Sequence, residues 1–205
     1  YVEFCGFRID IDKWTQKMKE DETLLRESET KLNTWVSDNL PKYMERVIQL
    51  DLFNPNTKPK CAVLWSSSPQ VVVVMKDLGI KTSTWDKKLG KMRDSIEESV
   101  LFPQKHLSPL IDLFITYQGY AKTVSTYGNN ILKQIHADGR LRTQFTQIMN
   151  TGRMSSGGGD KKLKKKYTNF QNIPRVPENE KDREKSIYER ECFVCSKGNK
   201  LVVAD

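Results

Sequence analysis

The chain has 205 residues, 37% of them hydrophobic, and a formal charge of +8, which is enough apolar content for a real core in one large domain or two modest ones. Its longest unbroken apolar run, Val71–Met75, is far shorter than the roughly 18–20 residues that cross a bilayer, and the N-terminus lacks the basic-then-apolar layout of a signal peptide, so neither a membrane span nor a secretory route is expected. The window 140–166 holds eight Lys or Arg against the single acid Asp160, a net +7 of the +8; such concentration points to a polyanionic partner, nucleic acid first, or to a solvated basic loop.

Ile9 and Ile11 alternate with Asp10 and Asp12, and then Trp14, Met18, Leu25, Leu32 and Trp35 recur at three, four or seven. This predicts one long amphipathic helix over 13–36, with Asp12 as N-cap and the stripe turned to a core. Leu52 to Ser68 is rich in Pro, Asn and Ser and reads as a loop. It ends in Ser67-Ser-Pro-Gln70, which fits a capping box with proline in the first turn. Val71–Val74 favours a strand by propensity, whereas the cap and Gly79 favour a short helix. Residues 81–100 give no sharp pattern and are read as helical. From Ser108-Pro109 the set Leu110, Leu113, Phe114, Tyr117, Ala121 and Val124 predicts a helix ending at Gly128, with Gln118, Lys122 and Thr126 on its other face. Ile131–Ala137, Asp138-Gly139 and Leu141, Thr143, Phe145 then suggest a hairpin. Residues 155–190 read as loop or partly ordered chain, and Cys192–Cys195 and Leu201–Ala204 as strands of a sheet whose remainder is absent. The chain is expected to be a piece of something longer.

Four cysteines, Cys5, Cys61, Cys192 and Cys195, make no disulfide framework, and one CxxC with two distant histidines has too few ligands for a zinc site. A reducing compartment is expected. The GxxxxG spacing of Gly152 and Gly157 lacks the Lys and Ser or Thr of a phosphate loop, and nothing resembles a nucleophilic triad.

Six segments occur in a fixed order: Tyr120-Ala-Lys-Thr-Val-Ser-Thr-Tyr127, Asp138-Gly-Arg-Leu-Arg-Thr-Gln-Phe145, Thr151-Gly-Arg-Met-Ser-Ser156, Asn169-Phe-Gln-Asn-Ile-Pro174, Arg190-Glu-Cys-Phe-Val194 and Leu201-Val-Val-Ala-Asp205. In that order they resemble the family A DNA polymerases of the bacterial DNA polymerase I type. The resemblance implies an α+β fold. Long antiparallel helices form a thumb over 1–128, with its palm-proximal base, and a hairpin and the first strands of an incomplete palm sheet follow over 129–205, including a basic loop over 155–168. It also makes Val71–Leu78 a short helix, against the strand propensity.

The same resemblance assigns roles. Lys122, Thr126 and Tyr127 belong to the thumb helix that faces DNA, with Gln118 where relatives often carry Arg. Arg153 matches the arginine placed in the minor groove near the primer end, where every base pair offers acceptors. Ser155 and Ser156 are candidates for backbone phosphates, and Asn169, Gln171 and Asn172 for template or duplex. Asp205 matches the first catalytic aspartate, one of two carboxylates that hold two Mg²⁺ ions. Implied partners are primer-template DNA, deoxynucleoside triphosphates and the remainder of the polymerase, with no membrane, in the cytoplasm of a bacterial or phage-infected cell or in an organelle. The complete protein is expected to be a DNA-directed DNA polymerase, and this fragment alone inactive. Between Ser156 and Asn169 the chain departs from the family by inserting Gly-Gly-Gly-Asp-Lys-Lys-Leu-Lys-Lys-Lys, either extra phosphate contacts or a solvated loop. The other readings are a noncatalytic nucleic-acid-binding module on a polymerase-like scaffold and an interaction domain that binds no nucleic acid.

Overall fold

Asp10, not Asp12, starts the long helix. A computed structural model describes residues 2–45, 60–86, 89–149, 152–160, 165–179, 183–196 and 198–200. In it a short helix α1 (Val2–Cys5) leads to strand β1 (Phe7–Ile9) and helix α2 (Ile11–Asn39). The Asp10 carboxylate accepts the Lys13 N–H at 2.9 Å, while the Asp10 N–H donates to the Cys192 carbonyl at 2.9 Å. Strand pairing thus ends at Ile9 and the helix begins at once, two residues earlier than the stripe predicts.

Next come α3 (Ser68–Asp77), β2 (Ser83–Asp86), β3 (Lys91–Asp94), α4 (Glu98–Leu101), α5 (Pro109–Tyr127) and α6 (Asn129–Leu132). Among the described residues, short strands and turns follow: β4 (Arg140–Leu141), β5 (Phe145–Thr146), β6 (Ser155–Ser156), β7 (Gly158–Asp160), β8 (Lys165–Tyr167), 3-10 turns at Phe170–Asn172 and Glu189–Cys192, and β9 (Phe193–Val194). They fall into two compact units, Leu24–Ala121 and Tyr1–Thr23 together with Lys122–Asp205.

In the unit Leu24–Ala121 the core is helical. Leu32 and Val36 of α2, Val71, Val74 and Met75 of α3, and Leu110, Ile111, Phe114 and Tyr117 of α5 join Trp65, Ile80 and Leu101 in one buried cluster. The valine run is a helix because Val71, Val74 and Met75 share one face and are wholly buried, and that burial outweighs β propensity. The capping box does not close: Ser67 makes no side-chain cap, and Gln70 accepts the Leu64 N–H at 2.7 Å instead. Ser108 does cap α5 through the Leu110 N–H.

The helical reading of 81–100 is corrected. Ser83–Asp86 and Lys91–Asp94 pair as an antiparallel ribbon with Ser83 opposite Asp94 and Trp85 opposite Met92. Asp86 turns it by accepting the Leu89 and Gly90 N–H groups through side chain and backbone. Ser83-Thr-Trp85, followed by Gly90, carried that signal.

In the other unit, β1 is the middle strand of a three-stranded antiparallel sheet in the order β4-β1-β9, with Arg8 opposite both Arg140 and Val194. Its core gathers Ile9, Trp14, Met18, Tyr127, Ile131, Leu141, Ile173, Ile187 and Cys192. The hairpin expected over 131–145 is largely replaced. Residues 129–132 are helical, only Ile135 bridges Leu141, and β4 gives its ladder to β1. The Asp138-Gly139 turn is present, with Gly139 at φ +73°. Part of the expected 155–168 loop is a ribbon in which Gly158 faces Tyr167 and Gly159 faces Lys166. The segment Leu201–Ala204 and Asp205 lie outside the described residues.

Candidate nucleic-acid interface

Lys122 and Thr126 lie one helical turn apart near the end of α5, and both are exposed. Tyr127, beside them in sequence, turns inward. It is 6% exposed, and its hydroxyl donates to the Asn172 carbonyl at 2.5 Å. Burial, and then the charge of Glu189, raise the Tyr127 pKa, so the hydroxyl stays a donor at neutral pH. This expected DNA contact therefore holds a turn and keeps its ring in the core.

That turn is where two sequence segments separated by the insertion meet. Ser156 is 3% exposed and its hydroxyl donates to the Asn169 side-chain oxygen at 2.9 Å. The Asn169 oxygen also accepts the Gln171 N–H at 2.9 Å, capping the 3-10 turn. Gln171 reaches back with both ends of its amide: its oxygen accepts the Ser156 N–H at 3.2 Å, and its nitrogen donates to the Met154 carbonyl at 2.8 Å. Ser156, Asn169 and Gln171, three of the expected contacts, thus fix one another. Gly157 sits between them at φ +100°, and a Cβ there would lie 3.2 Å from Asn169 Cα, so only glycine allows the two segments this close.

Further anchors were not legible in sequence. Arg190 donates to the Ile173 carbonyl at 3.0 Å, the Thr143 hydroxyl donates to the Thr168 carbonyl at 2.7 Å, and Thr168 donates to Gln134 at 3.0 Å. Phe170 packs edge-on against Phe7 and Phe193, with ring centroids 5.0 and 6.1 Å apart. Only the six-segment order could have flagged Arg190; the threonines carry no motif.

Arg153 is exposed, Ser155 and Asn169 are half-buried, and Gln171 and Asn172 are exposed. Among the described residues no carboxylate or carbonyl engages the Arg153 guanidinium. Apolar Ile148, Met149 and Met154, 93%, 42% and 57% exposed, lie close in sequence on the same connection. The outward positive charge is smaller than the count suggests. Arg140 donates to the Cys5 carbonyl and Ser196, and Arg142 to the Phe4 carbonyl and both oxygens of Asp138.

Arg142 beside Asp138 holds that carboxyl down to about 2. Because the folded pKa lies below the unfolded value near 4, the unfolded chain binds more protons in this range. The stabilisation is therefore complete above about pH 4 and lost as the pH falls toward 2. Asp138→Asn is expected to flatten this part of the acid limb in unfolding measured from pH 5 to 2; a limb unchanged by the substitution would exclude Asp138 as its source.

The segment leading to β9 is held by buried charge. Lys17, fully buried, lies 2.8 Å from Asp21 and 3.0 Å from Glu189, and Lys185 lies 2.5 Å from the other Asp21 oxygen. The Lys17 ammonium is also 4.9 Å from the Trp14 ring centroid. Glu20 accepts the Ser186 N–H and hydroxyl, each at 2.7 Å. Burial pushes the Cys192 thiol up to about 11, so it stays protonated and unreactive at neutral pH.

Asp205, the expected metal ligand, is outside the described residues, and among those described no three His, Cys, Asp or Glu come together to hold a metal ion. Among the described residues no helix is long and apolar enough to cross a membrane.

The model of DNA polymerase family A matches residues 56–205. A DNA polymerase I of Caldicellulosiruptor bescii is 28% identical over 210 aligned positions, covering all of this chain and 19% of that protein. A DNA polymerase of Escherichia phage T5 is 31% identical over 175 positions, covering 85% of this chain and 18% of its own. The chain spans about a fifth of the length of these curated relatives. Among solved structures, the POL domain of Pol1 from M. smegmatis, in complex with DNA primer-template and dNTP, matches with a TM-score of 0.60 at 18% identity over 86% of this chain and 25% of that one, a likeness of fold.

Proposed function

This chain belongs to DNA polymerase family A, and from that premise we propose that it is the part of a template-directed DNA polymerase that grips the primer-template duplex. The helical core of Leu24–Ala121 is the body of the thumb, which runs over 1–128 with its palm-proximal base. Residues 129–205 open the palm. The observation that carries the reading is the hydrogen-bonded junction of Met154, Ser156, Asn169 and Gln171, which gives the exposed Arg153 a rigid footing.

An enzyme that copies any sequence must hold DNA through phosphates and through acceptors common to all base pairs. In this reading Lys122, Thr126 and Ser155 take phosphates, Arg153 takes the minor groove, and Asn172 and the remaining amide hydrogen of Gln171 take the template or duplex edge. Ser156 and Asn169 act mainly by holding that surface in register. Tyr127 serves the surface from beneath, through the Asn172 carbonyl. Asp205 contributes one carboxylate toward the Mg²⁺ pair, and the remainder of the polymerase supplies the fingers that take the deoxynucleoside triphosphate and the second carboxylate. The bound ions would supply electrophilic stabilisation of phosphoryl transfer.

Duplex binding by this chain tests the reading. Log affinity is expected to fall linearly with log salt, at about 0.9 per phosphate neutralised, and the chain alone is expected not to extend a primer with Mg²⁺ and deoxynucleotides. Salt-independent binding or none removes the interface, and extension free of contaminating enzyme removes the division of labour.

A further inference from the structure

The turn Phe170–Asn172 does not hold itself. Its own backbone bonds are at the long limit, with the Asn172 N–H donating to the Asn169 carbonyl at 3.3 Å and the Ile173 N–H to the Phe170 carbonyl at 3.4 Å. Pro174 follows and brings no N–H of its own. Asn169 caps the start through the Gln171 N–H, but the end is left to groups outside the turn. Two side chains meet it there, on successive carbonyls. The Tyr127 hydroxyl donates to Asn172 at 2.5 Å, and Arg190 donates to Ile173 through Nε at 3.3 Å and Nη2 at 3.0 Å. Tyr127 comes from the last turn of α5 and Arg190 from the 3-10 turn before β9.

The partner that Arg190 takes is informative. It lies between two carboxylates in sequence, yet Glu189 turns to the buried Lys17 at 3.0 Å, and Glu191 accepts from Arg183 and from the Tyr188 N–H at 2.9 and 2.8 Å. Both described hydrogen bonds of Arg190 go to one neutral carbonyl. A guanidinium that forgoes an ion pair and aims two donors of its rigid fork at a backbone oxygen fixes that oxygen in direction as well as distance. The chain so fixed runs straight back to Asn172 and Gln171, both exposed.

We propose that Arg190 is a positioning residue for duplex binding: with Tyr127 it clamps the carbonyl end of the turn, and so sets the direction in which Gln171 and Asn172 meet the duplex, without itself touching a phosphate. The proposal rests on the reading of this chain as the duplex-gripping part of a polymerase, to which it adds a support.

Duplex affinity of this chain, measured against salt and joined to amide exchange, tests it. Arg190→Met is expected to lower the affinity on the order of three- to tenfold, the worth of one ordinary hydrogen bond, and to speed exchange at Asn172 and Ile173 while the rest of its unit keeps its protection. The slope of log affinity against log salt should not change, since a residue that meets no phosphate releases no counterion. Arg190→Lys has one ammonium in place of the fork and is expected to recover part of the affinity. Tyr127→Phe keeps the ring and removes only the hydroxyl, so it should loosen the same two amides and lower the affinity with no change of charge. Where the methionine variant unfolds, Arg190→Lys and Tyr127→Phe carry the same test. Three results overturn the proposal: a slope shallower by about 0.9 in Arg190→Met, which makes the arginine a phosphate contact; exchange that rises throughout the unit, which makes it merely structural; or unchanged affinity. If the unaltered chain binds no duplex, the duplex-gripping reading falls with the proposal; if it binds duplex and the variants bind equally well, only the clamp falls.

Discussion

Replacing Lys17 by methionine is expected to destabilise the unit built from the sheet β4-β1-β9 by about 3–5 kcal/mol, because it leaves Glu189 buried with no counter-ion and Asp21 with Lys185 alone. Against a typical total of about 5–15 kcal/mol, that is a loss few domains absorb. The contacts explain why the charge cannot simply be dropped. Lys17 and Glu189 are 0% and 1% exposed, so neither can recruit water. Their approach at 3.0 Å is an ionic contact that is not aligned as a hydrogen bond, so attraction only partly offsets their desolvation. The paired change Lys17→Met with Glu189→Leu is therefore expected to recover most of the loss, since Asp21 keeps Lys185. Urea unfolding of the two single variants and the double variant forms the cycle that measures this. A Lys17→Met variant as stable as the unaltered chain would remove the network from any structural role.

Arg153→Ala is expected to lower the extension rate of the complete polymerase on the order of ten- to a hundredfold, the worth of one charged hydrogen bond of about 1.5–3 kcal/mol. Unfolding should stay within about 0.5 kcal/mol, because an exposed side chain with no described partner supports nothing in the fold. Arg153→Lys should recover only part of the rate, since a lysine keeps the charge but not the planar fork. Gln171→Leu is the companion. It leaves the arginine in place but releases the Met154 carbonyl and the Ser156 N–H, so a fall in duplex affinity should accompany faster amide exchange at 154–157. Unaltered extension by Arg153→Ala would refute its minor-groove role; loss of affinity in Gln171→Leu without faster exchange would remove the supporting role of Gln171 and leave only its direct contact.

The helices were legible because their signals were physical and repeated. Trp14 to Trp35 kept one face across α2, and Ser108-Pro109 with Gly128 bounded α5. The strands were harder, since β4 and β9 have two residues each and find their partner in β1, more than 130 residues before them. No local period can encode such a pairing, which is why Ile131–Ala137 passed for the partner of Leu141. Residues 83–94 were misread because Lys87-Lys-Leu-Gly90 dilutes the alternation on either side. At the interface, residue types were legible and their division of labour was not. Ser156, Asn169 and Gln171 were marked as contacts from their order in the chain, but only the junction reveals how much of their hydrogen-bonding capacity is turned on one another. Tyr127 stood beside two exposed residues in sequence and faced the opposite way, a matter of helical phase at the last turn.

The ribbon of β7 and β8 leaves the chain at Gly158 and returns at Tyr167, directly opposite, just above the close approach of Gly157 to Asn169. It is attached like an appendage on a closed ring, with entry and exit side by side. Such a graft can lengthen, shorten or exchange its lysines in the course of descent while the framework below retains its spacing. Variation among relatives in reach and charge can therefore accumulate in this one place without renegotiating the geometry that the neighbouring arginine depends on.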